Sequence, residues 1–92
     1  MSYALDFSDD ALYGIEYHKK SGNLVVLKKL NILLNELTEH PRTGTGKPEV
    51  LKHDLSGSWS RKITNKHRLV YKINDEKLIV NIILTSGHYA DK

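Results

Sequence analysis

The spacing of apolar residues changes near residue 48, and this change constrains the fold more than any other feature of the sequence. After a short alternating start, apolar residues recur every three or four positions, as on one side of a helix. Beyond residue 48 they alternate with polar residues, as in strands with one buried face. A chain of 92 residues has room for one modest core. We therefore expect helices and strands to share one core in a single domain, 1–92.

Local signals predict a strand and two helices in the first half of the chain. The alternating residues 3–7 indicate the strand. Ser8 is a suitable N-cap for a first helix, which Gly22 would end. Asn23 can cap a second, longer helix, which Pro41 would end because the residue before a proline is disfavoured in helical conformation.

The second predicted helix carries an apolar stripe. Its members are Leu27, Leu30, Leu34 and Leu37, widened by Val26 and Leu33. Such a stripe can serve as a zipper-like partner surface or pack against a sheet. Packing against a sheet is favoured, because the apolar residues in the rest of the chain need a surface to pack against.

Four further strands are predicted after the loop of residues 42–48, at 50–55, 58–64, 67–73 and 77–84. In the strand at 58–64, alternation places Trp59, Arg61 and Ile63 on one face and Ser58, Ser60 and Lys62 on the other. In the strand at 67–73, it places Leu69, Tyr71 and Ile73 on one face and Arg68, Val70 and Lys72 on the other. The last strand is nearly all apolar, as in a central strand buried on both faces. We predict an α+β fold, with two N-terminal helices on one face of a mainly antiparallel sheet of four to five strands.

The net charge of +3 is unevenly distributed along the chain. Residues 42–72 carry eight Lys or Arg against two acids, whereas residues 1–41 and 73–92 are slightly acidic. A basic middle third suggests a face that binds a polyanion, although a solvated basic surface without a ligand explains it equally well. The chain has no cysteine and no apolar stretch near the ~20 residues of a membrane span, so we expect a cytoplasmic protein.

Titratable side chains gather in this basic third and near the end of the chain. They are Glu49, Lys52, His53, Arg61, Lys62, Lys66, His67, Arg68, Tyr71, His88 and Tyr89. RNA cleavage without a metal needs a base for the 2′-hydroxyl, a cation for the phosphorane and an acid for the departing 5′-oxygen. Glu, Arg and His can fill these roles. Each also has an ordinary alternative, such as a surface ion pair for Glu49 or Arg68.

Neither a metal nor a cofactor is expected. The five histidines lack close ligand spacing and there is no cysteine, so a zinc site is not expected. The sequence Gly44-Thr45-Gly46-Lys47 lacks the first glycine and the strand–helix context of a phosphate-binding loop.

The run from Gly46 to Thr64 closely resembles the signature of the YoeB/Txe family, G-K-P-E-x-L-K-x-x-L-x-G-x-W-S-R-R-I. The similarity continues through 67–71, which matches H-R-L-V-Y, and through 87–89, which matches the family's closing H-Y. The resemblance covers nearly the whole chain. This family belongs to the RelE-like toxins of type II toxin–antitoxin systems.

The resemblance implies an endoribonuclease that enters the ribosomal A site, cuts mRNA by metal-independent 2′-hydroxyl attack and inhibits translation. By motif position, Glu49 resembles the general base, Arg68 the phosphate-stabilising arginine, His88 the general acid and Tyr89 the aromatic residue that orients the substrate. Basic positions lining the same site are Lys52, His53, Arg61 and Lys62.

The resemblance also implies partners. A cognate antitoxin of the YefM/Axe type would neutralise the toxin with a C-terminal segment and contact operator DNA on behalf of the complex. Ribosome and mRNA would be the other partners, with no membrane. A homodimer is compatible with the leucine-rich helix pair.

The sequence departs from the family pattern at three places. Lys62 replaces the second arginine of W-S-R-R and loses its planar fork. Ser58 stands where a bulky residue is common, and 90–92 extend past the His-Tyr pair. Two alternatives therefore stay open: a catalytically weak relative that acts only through the antitoxin complex at operator DNA, and a relative directed at gyrase. The retained set of Glu49, Arg68, His88 and Tyr89 argues against the latter.

Overall fold

A computed structural model describes residues 2–52 and 56–87 of the chain. Its elements are β1 (Ala4–Phe7), α1 (Asp9–Lys20), α2 (Leu24–Glu39), β2 (Glu49–Val50), β3 (Trp59–Lys62), β4 (Arg68–Asn74) and β5 (Ile79–Leu84). The strands form one sheet in the order β1-β5-β4-β3-β2. Neighbours are antiparallel except β1, which runs parallel to β5. The predicted α+β class with a mainly antiparallel sheet is confirmed.

Side-chain caps begin both helices where the sequence predicts. The Ser8 hydroxyl accepts a hydrogen bond from the Ala11 amide at 3.0 Å, and the Asn23 side-chain oxygen accepts one from the Val26 amide at 3.2 Å. Each cap pairs an amide that the first turn would otherwise leave without a partner. In the described part of the chain, neither helix is long and apolar enough to cross a membrane.

The core lies between the two helices and one face of the sheet. Its fully buried members include Val26, Leu30, Leu33 and Leu37 of α2, with Leu69, Tyr71, Val80 and Ile82 of the sheet. The interpretation of the leucine stripe as a core-packing face is therefore confirmed. The stripe is rotated relative to the prediction, because Val26 and Leu33 are buried whereas Leu27 and Leu34 are only partly so.

Two strands differ from their predictions. Of the range 50–55, only Val50 lies in a strand, paired with β3 together with Glu49, while residues 53–55 lie outside the described residues. Strand β5 lies inside the sheet as predicted, but the expectation of burial on both faces is wrong. Only Val80 and Ile82 of β5 are fully buried, and its other residues are partly exposed.

Candidate active site

The sheet has one face under the helices and a second face turned away from them. Leu69 and Tyr71 of β4 lie in the core, so the alternation of side chains puts Arg68 and Val70 on the second face. The register of the strands extends this assignment to their cross-strand partners. We call this second surface the open face, because neither helix lies on it; its members are Glu49, Ser58, Ser60, Lys62, Arg68 and Val70, of which Ser58, Ser60 and Val70 are nevertheless buried.

The predicted base and the predicted phosphate-binding arginine share the open face. Glu49 pairs with Ser60, and Arg68 pairs with Lys62, two residues further along β3. From standard sheet spacing, the Cα atoms of Glu49 and Arg68 are separated by roughly 10 Å across the strands and 7 Å along them. Two long side chains can converge on one phosphate group across this span.

Two cations lie side by side on the open face. Lys62 and Arg68 are register partners on adjacent strands, and both are half-buried. Two positive charges on adjacent strands raise the electrostatic potential at this part of the face, which favours the approach of an anion such as phosphate. Lys52 lies in the coil after β2 and is exposed. Two basic residues of the middle third, Lys62 and Arg68, thus share the sheet face that carries Glu49.

Two buried hydroxyl groups lie on the open face, those of Ser58 and Ser60. Both residues are fully buried, and among residues 2–52 and 56–87 neither hydroxyl oxygen has a hydrogen-bond partner. Ser60 is the residue directly opposite Glu49. A buried polar group that lacks a partner costs about 1–3 kcal/mol, and such groups call for an explanation, of which a functional role is one.

Arg61 does not lie on the open face, which corrects its assignment as a substrate contact. Its side chain is 0% exposed and lies on the helix-covered face. The guanidinium donates to Tyr71 Oη (3.0 Å), Glu36 Oε1 (2.7 Å) and the carbonyl oxygens of His40 (2.8 Å), Thr43 (2.7 Å) and Thr45 (3.4 Å). These five bonds match the five N–H groups of a guanidinium. Arg61 therefore fixes the loop between α2 and β2, and through it the strand that carries Glu49.

Glu36, whose side chain is partly exposed, completes the hydrogen-bond network of Arg61 from α2. Its carboxylate accepts hydrogen bonds from the Thr45 amide at 2.8 Å and the Thr45 hydroxyl at 2.6 Å, besides that from Arg61. Partial burial raises the pKa of Glu36, but the bonds from Thr45 and Arg61 outweigh burial and hold the pKa below its ordinary value. Burial raises the pKa of the Tyr71 hydroxyl, which donates to the Pro41 carbonyl.

The backbone just before His88 is bonded to the start of β4. The Gly87 carbonyl oxygen accepts a hydrogen bond from the Arg68 amide at 2.9 Å. The Gly87 amide donates to Nδ1 of His67, also at 2.9 Å. His53, His88 and Tyr89, which were predicted to belong to the site, lie outside the described residues.

Sequence reasoning missed several residues that support the site. Glu36 and Thr45 were not singled out, and neither was His18, which is buried against the segment before Gly87. For Arg61 a signal was present, because alternation placed it beside Trp59 and Ile63 on the apolar face. Trp59 packs against the core, in line with that alternation. Within residues 2–52 and 56–87, no three His, Asp or Glu side chains are arranged to share a metal ion.

Comparison with known proteins identifies the family. Residues 7–89 match the family model described as the YoeB-like toxin of bacterial type II toxin–antitoxin systems. Toxin YoeB of Escherichia coli strain K12 is 47% identical over 72 residues, covering 78% of this chain and 80% of the relative.

Solved structures agree with this match. A YoeB/ParE toxin from Agrobacterium tumefaciens superposes with a TM-score of 0.86 at 31% identity, covering 94% of this chain and 99% of that one. In a YoeB–YefM complex from Staphylococcus aureus, the matching chain gives a TM-score of 0.80 at 34% identity, with 97% and 100% coverage. The chain therefore belongs to the YoeB-like toxin family of bacterial type II toxin–antitoxin systems.

Proposed function

We propose that this toxin is a ribosome-dependent endoribonuclease that cleaves mRNA in the ribosomal A site and thereby inhibits translation in the cytoplasm. The observation that carries the proposal is the strand register that puts Glu49 and Arg68 on one open face, with Lys62 between them. A base and two cations on one surface suit the attack of a 2′-hydroxyl on a neighbouring phosphate.

In this proposal, Glu49 removes the proton from the 2′-hydroxyl, and the oxygen attacks phosphorus to form a 2′,3′-cyclic phosphate. Arg68 stabilises the charge that develops on the non-bridging oxygens. His88 donates a proton to the departing 5′-oxygen, and Tyr89 orients the substrate. Glu49 is exposed, so it can meet an incoming ribose.

Substrate binding in this proposal rests on Lys52, Lys62 and His53, without Arg61. The two lysines are the described members, one exposed and one half-buried. Arg61 is excluded because its guanidinium is fully buried and bonded to groups of the protein. Contacts from Lys to phosphate release counterions, so ribosome binding should weaken as salt rises.

Primer extension on an mRNA that is being translated by purified ribosomes tests the proposal. The wild-type toxin should produce discrete cuts within the A-site codon. Glu49→Gln removes the base while keeping the shape of the side chain, and should lower the cleavage rate by roughly 10²–10⁴-fold. Arg68→Ala and His88→Ala should also abolish most cleavage.

Glu76→Gln is the matched control. Glu76 is an exposed glutamate at the turn between β4 and β5, remote from the open face. The Glu76→Gln variant should cleave mRNA at the same rate as the wild type. Equal cleavage by the wild type and Glu49→Gln would refute the role of Glu49, and no cleavage by the wild type would favour a module that acts only through its antitoxin complex at operator DNA.

We further propose a YefM-like antitoxin as the partner that neutralises this toxin. The S. aureus relative is seen in complex with YefM. The present chain leaves large apolar side chains exposed on its helices, with Tyr13 at 74% and Leu24 and Val25 at 75%. Pairing of two copies through these helices is the alternative use of the same surface.

A further inference from the structure

The segment after β5 is bonded to α1 before it reaches the C-terminal residues. The Thr85 hydroxyl donates to the Ala11 carbonyl oxygen at 2.6 Å, and the Thr85 carbonyl oxygen accepts a hydrogen bond from Nε2 of His18 at 2.9 Å. Both Thr85 and His18 are buried. Gly14 allows this approach, because a Cβ atom there would overlap the side-chain oxygen of Thr85.

Two residues later, the same segment is bonded to the start of β4. Both polar groups of the Gly87 backbone are used: its amide donates to His67 Nδ1 and its carbonyl oxygen accepts from the Arg68 amide, each at 2.9 Å. His67 and Arg68 are consecutive, so two neighbouring residues bind both backbone polar groups of Gly87. Gly87 is the last described residue and directly precedes His88.

The direction of the hydrogen bond between Gly87 and His67 determines which nitrogen of the His67 ring carries the proton. An amide N–H can only donate, so Nδ1 of His67 must present its lone pair to Gly87. The ring proton then resides on Nε2, and a doubly protonated ring cannot accept this bond. The ring also meets that of His18 edge-on, with centroids 4.7 Å apart, and lies 6.4 Å from that of Tyr17. These contacts hold the ring in the orientation that the bond needs.

We propose that His67 is a positioning residue: by accepting the hydrogen bond from the Gly87 amide, it fixes the backbone of Gly87, the residue that precedes His88 in the chain. The inference rests on the proposed role of His88 as general acid. The Arg68 amide binds the Gly87 carbonyl oxygen. The backbone of the proposed phosphate-binding residue is therefore bonded directly to the residue that precedes the proposed acid. His67 itself does not touch the substrate.

Two substitutions of His67 separate positioning from general support of the fold. His67→Asn places an amide oxygen near the position of Nδ1 and keeps an acceptor for Gly87. His67→Leu fills a similar space without an acceptor. We expect kcat for ribosome-dependent cleavage to fall by roughly 100-fold in His67→Leu, as expected for a misplacement of about 1 Å, and by about 3-fold or less in His67→Asn.

Asn74→Leu and Asn74→Asp are the matched controls. The Asn74 side-chain oxygen also accepts a hydrogen bond from a backbone amide, that of Lys77 at 3.0 Å, and it lies at the opposite end of β4 from Arg68. Neither substitution should change kcat. Melting temperatures of all four variants would show whether any loss of activity merely follows loss of fold.

Nuclear magnetic resonance of the wild type supplies a readout that does not depend on cleavage. The ¹⁵N signals of the His67 ring should show Nδ1 without a proton, and the Gly87 amide should exchange slowly with solvent. Exchange at Gly87 should accelerate in His67→Leu and stay slow in His67→Asn.

The outcomes distinguish the inference from the proposed function. Cleavage by the wild type with equal losses in both His67 variants, or a Gly87 amide that exchanges freely in the wild type, would overturn the positioning role alone. A protected Gly87 amide in a wild-type toxin that cuts no mRNA would overturn the proposed function, and the inference with it.

Discussion

Arg61 and Lys62 are consecutive basic residues of β3, but they lie on opposite faces of the sheet. Under the helices, Arg61 is fully buried and every N–H group of its guanidinium has an acceptor. On the open face, Lys62 is half-buried beside Arg68, and the Ser58 and Ser60 hydroxyls have no hydrogen-bond partner among the residues that the structure describes.

The positive charge of Arg61 stabilises the fold, whereas the positive charge of Lys62 is available to a substrate. The helix-covered face satisfies its polar groups within the protein, as burial requires. On the open face, the Ser58 and Ser60 hydroxyls lack a hydrogen-bond partner within the described part of the chain, which stability alone would not select. Residues available for chemistry are therefore expected on the open face, although the sequence motif runs through both faces.

The largest change in stability is expected from a substitution on the helix-covered face. Arg61→Met should lower the free energy of unfolding by about 3–5 kcal/mol, because the five hydrogen bonds of the buried guanidinium, each worth about 1 kcal/mol, are lost. Urea denaturation followed by circular dichroism measures it. A loss below about 1 kcal/mol would contradict the structural role of Arg61.

Lys62→Met is the matched substitution on the open face. Removal of a charge-assisted contact to phosphate, worth about 1.5–3 kcal/mol, should lower kcat/KM for mRNA cleavage by roughly ten- to a hundredfold. The free energy of unfolding should change by less than about 0.5 kcal/mol. Lys62→Arg should retain activity, since it keeps the charge and adds a planar fork. A large loss of stability with normal cleavage would reverse the assignment of the two faces.

Ser60→Ala sharpens the comparison through the unpaired hydroxyl. Removing a buried polar group without a partner should raise the free energy of unfolding by roughly 1 kcal/mol. If Ser60 supports Glu49 during cleavage, the same variant should be less active. Denaturation and primer extension on one preparation give both values; a less stable variant would show that the hydroxyl has a partner in solution.

The smallest expected effect is a pH dependence from Glu36. Its pKa is depressed below the ordinary value of 4.5, so its contribution to stability is present above that pH. The contribution is lost as the pH falls through the depressed pKa of the folded state. Glu36→Gln should therefore be less stable than the wild type at pH 7, with the difference shrinking below pH 4.5. A difference that stays constant down to pH 3 would contradict this linkage.

Much of the fold follows from patterns within short stretches of sequence. Alternation at 59–63 already placed Arg61 with the apolar residues, and the structure agrees. The resemblance to a family motif instead grouped Arg61 with Lys62 as substrate contacts. A linear motif does not distinguish the two faces of a strand, whereas side-chain alternation does.

Other parts of the site were out of reach of the sequence. The contacts of Gly87 with His67 and of Thr85 with His18 join residues 20 and 67 positions apart. Nothing in a single sequence indicates which of its many polar groups meet at such separations. The sequence likewise does not reveal that β2 is short, because the length of a strand depends on how far its partner strand pairs with it.

The sequence by itself determined the caps of both helices, the α+β class and the family, because these depend on neighbouring residues or on an ordered motif. Ser8 and Asn23 cap amides three residues away, an interaction complete within one helical turn. Only the tertiary structure decided that Arg61 is buried, that Glu49 and Arg68 share the open face and that Gly87 is anchored by His67. Those results depend on strand register and helix packing, whose energies come from contacts between distant parts of the chain.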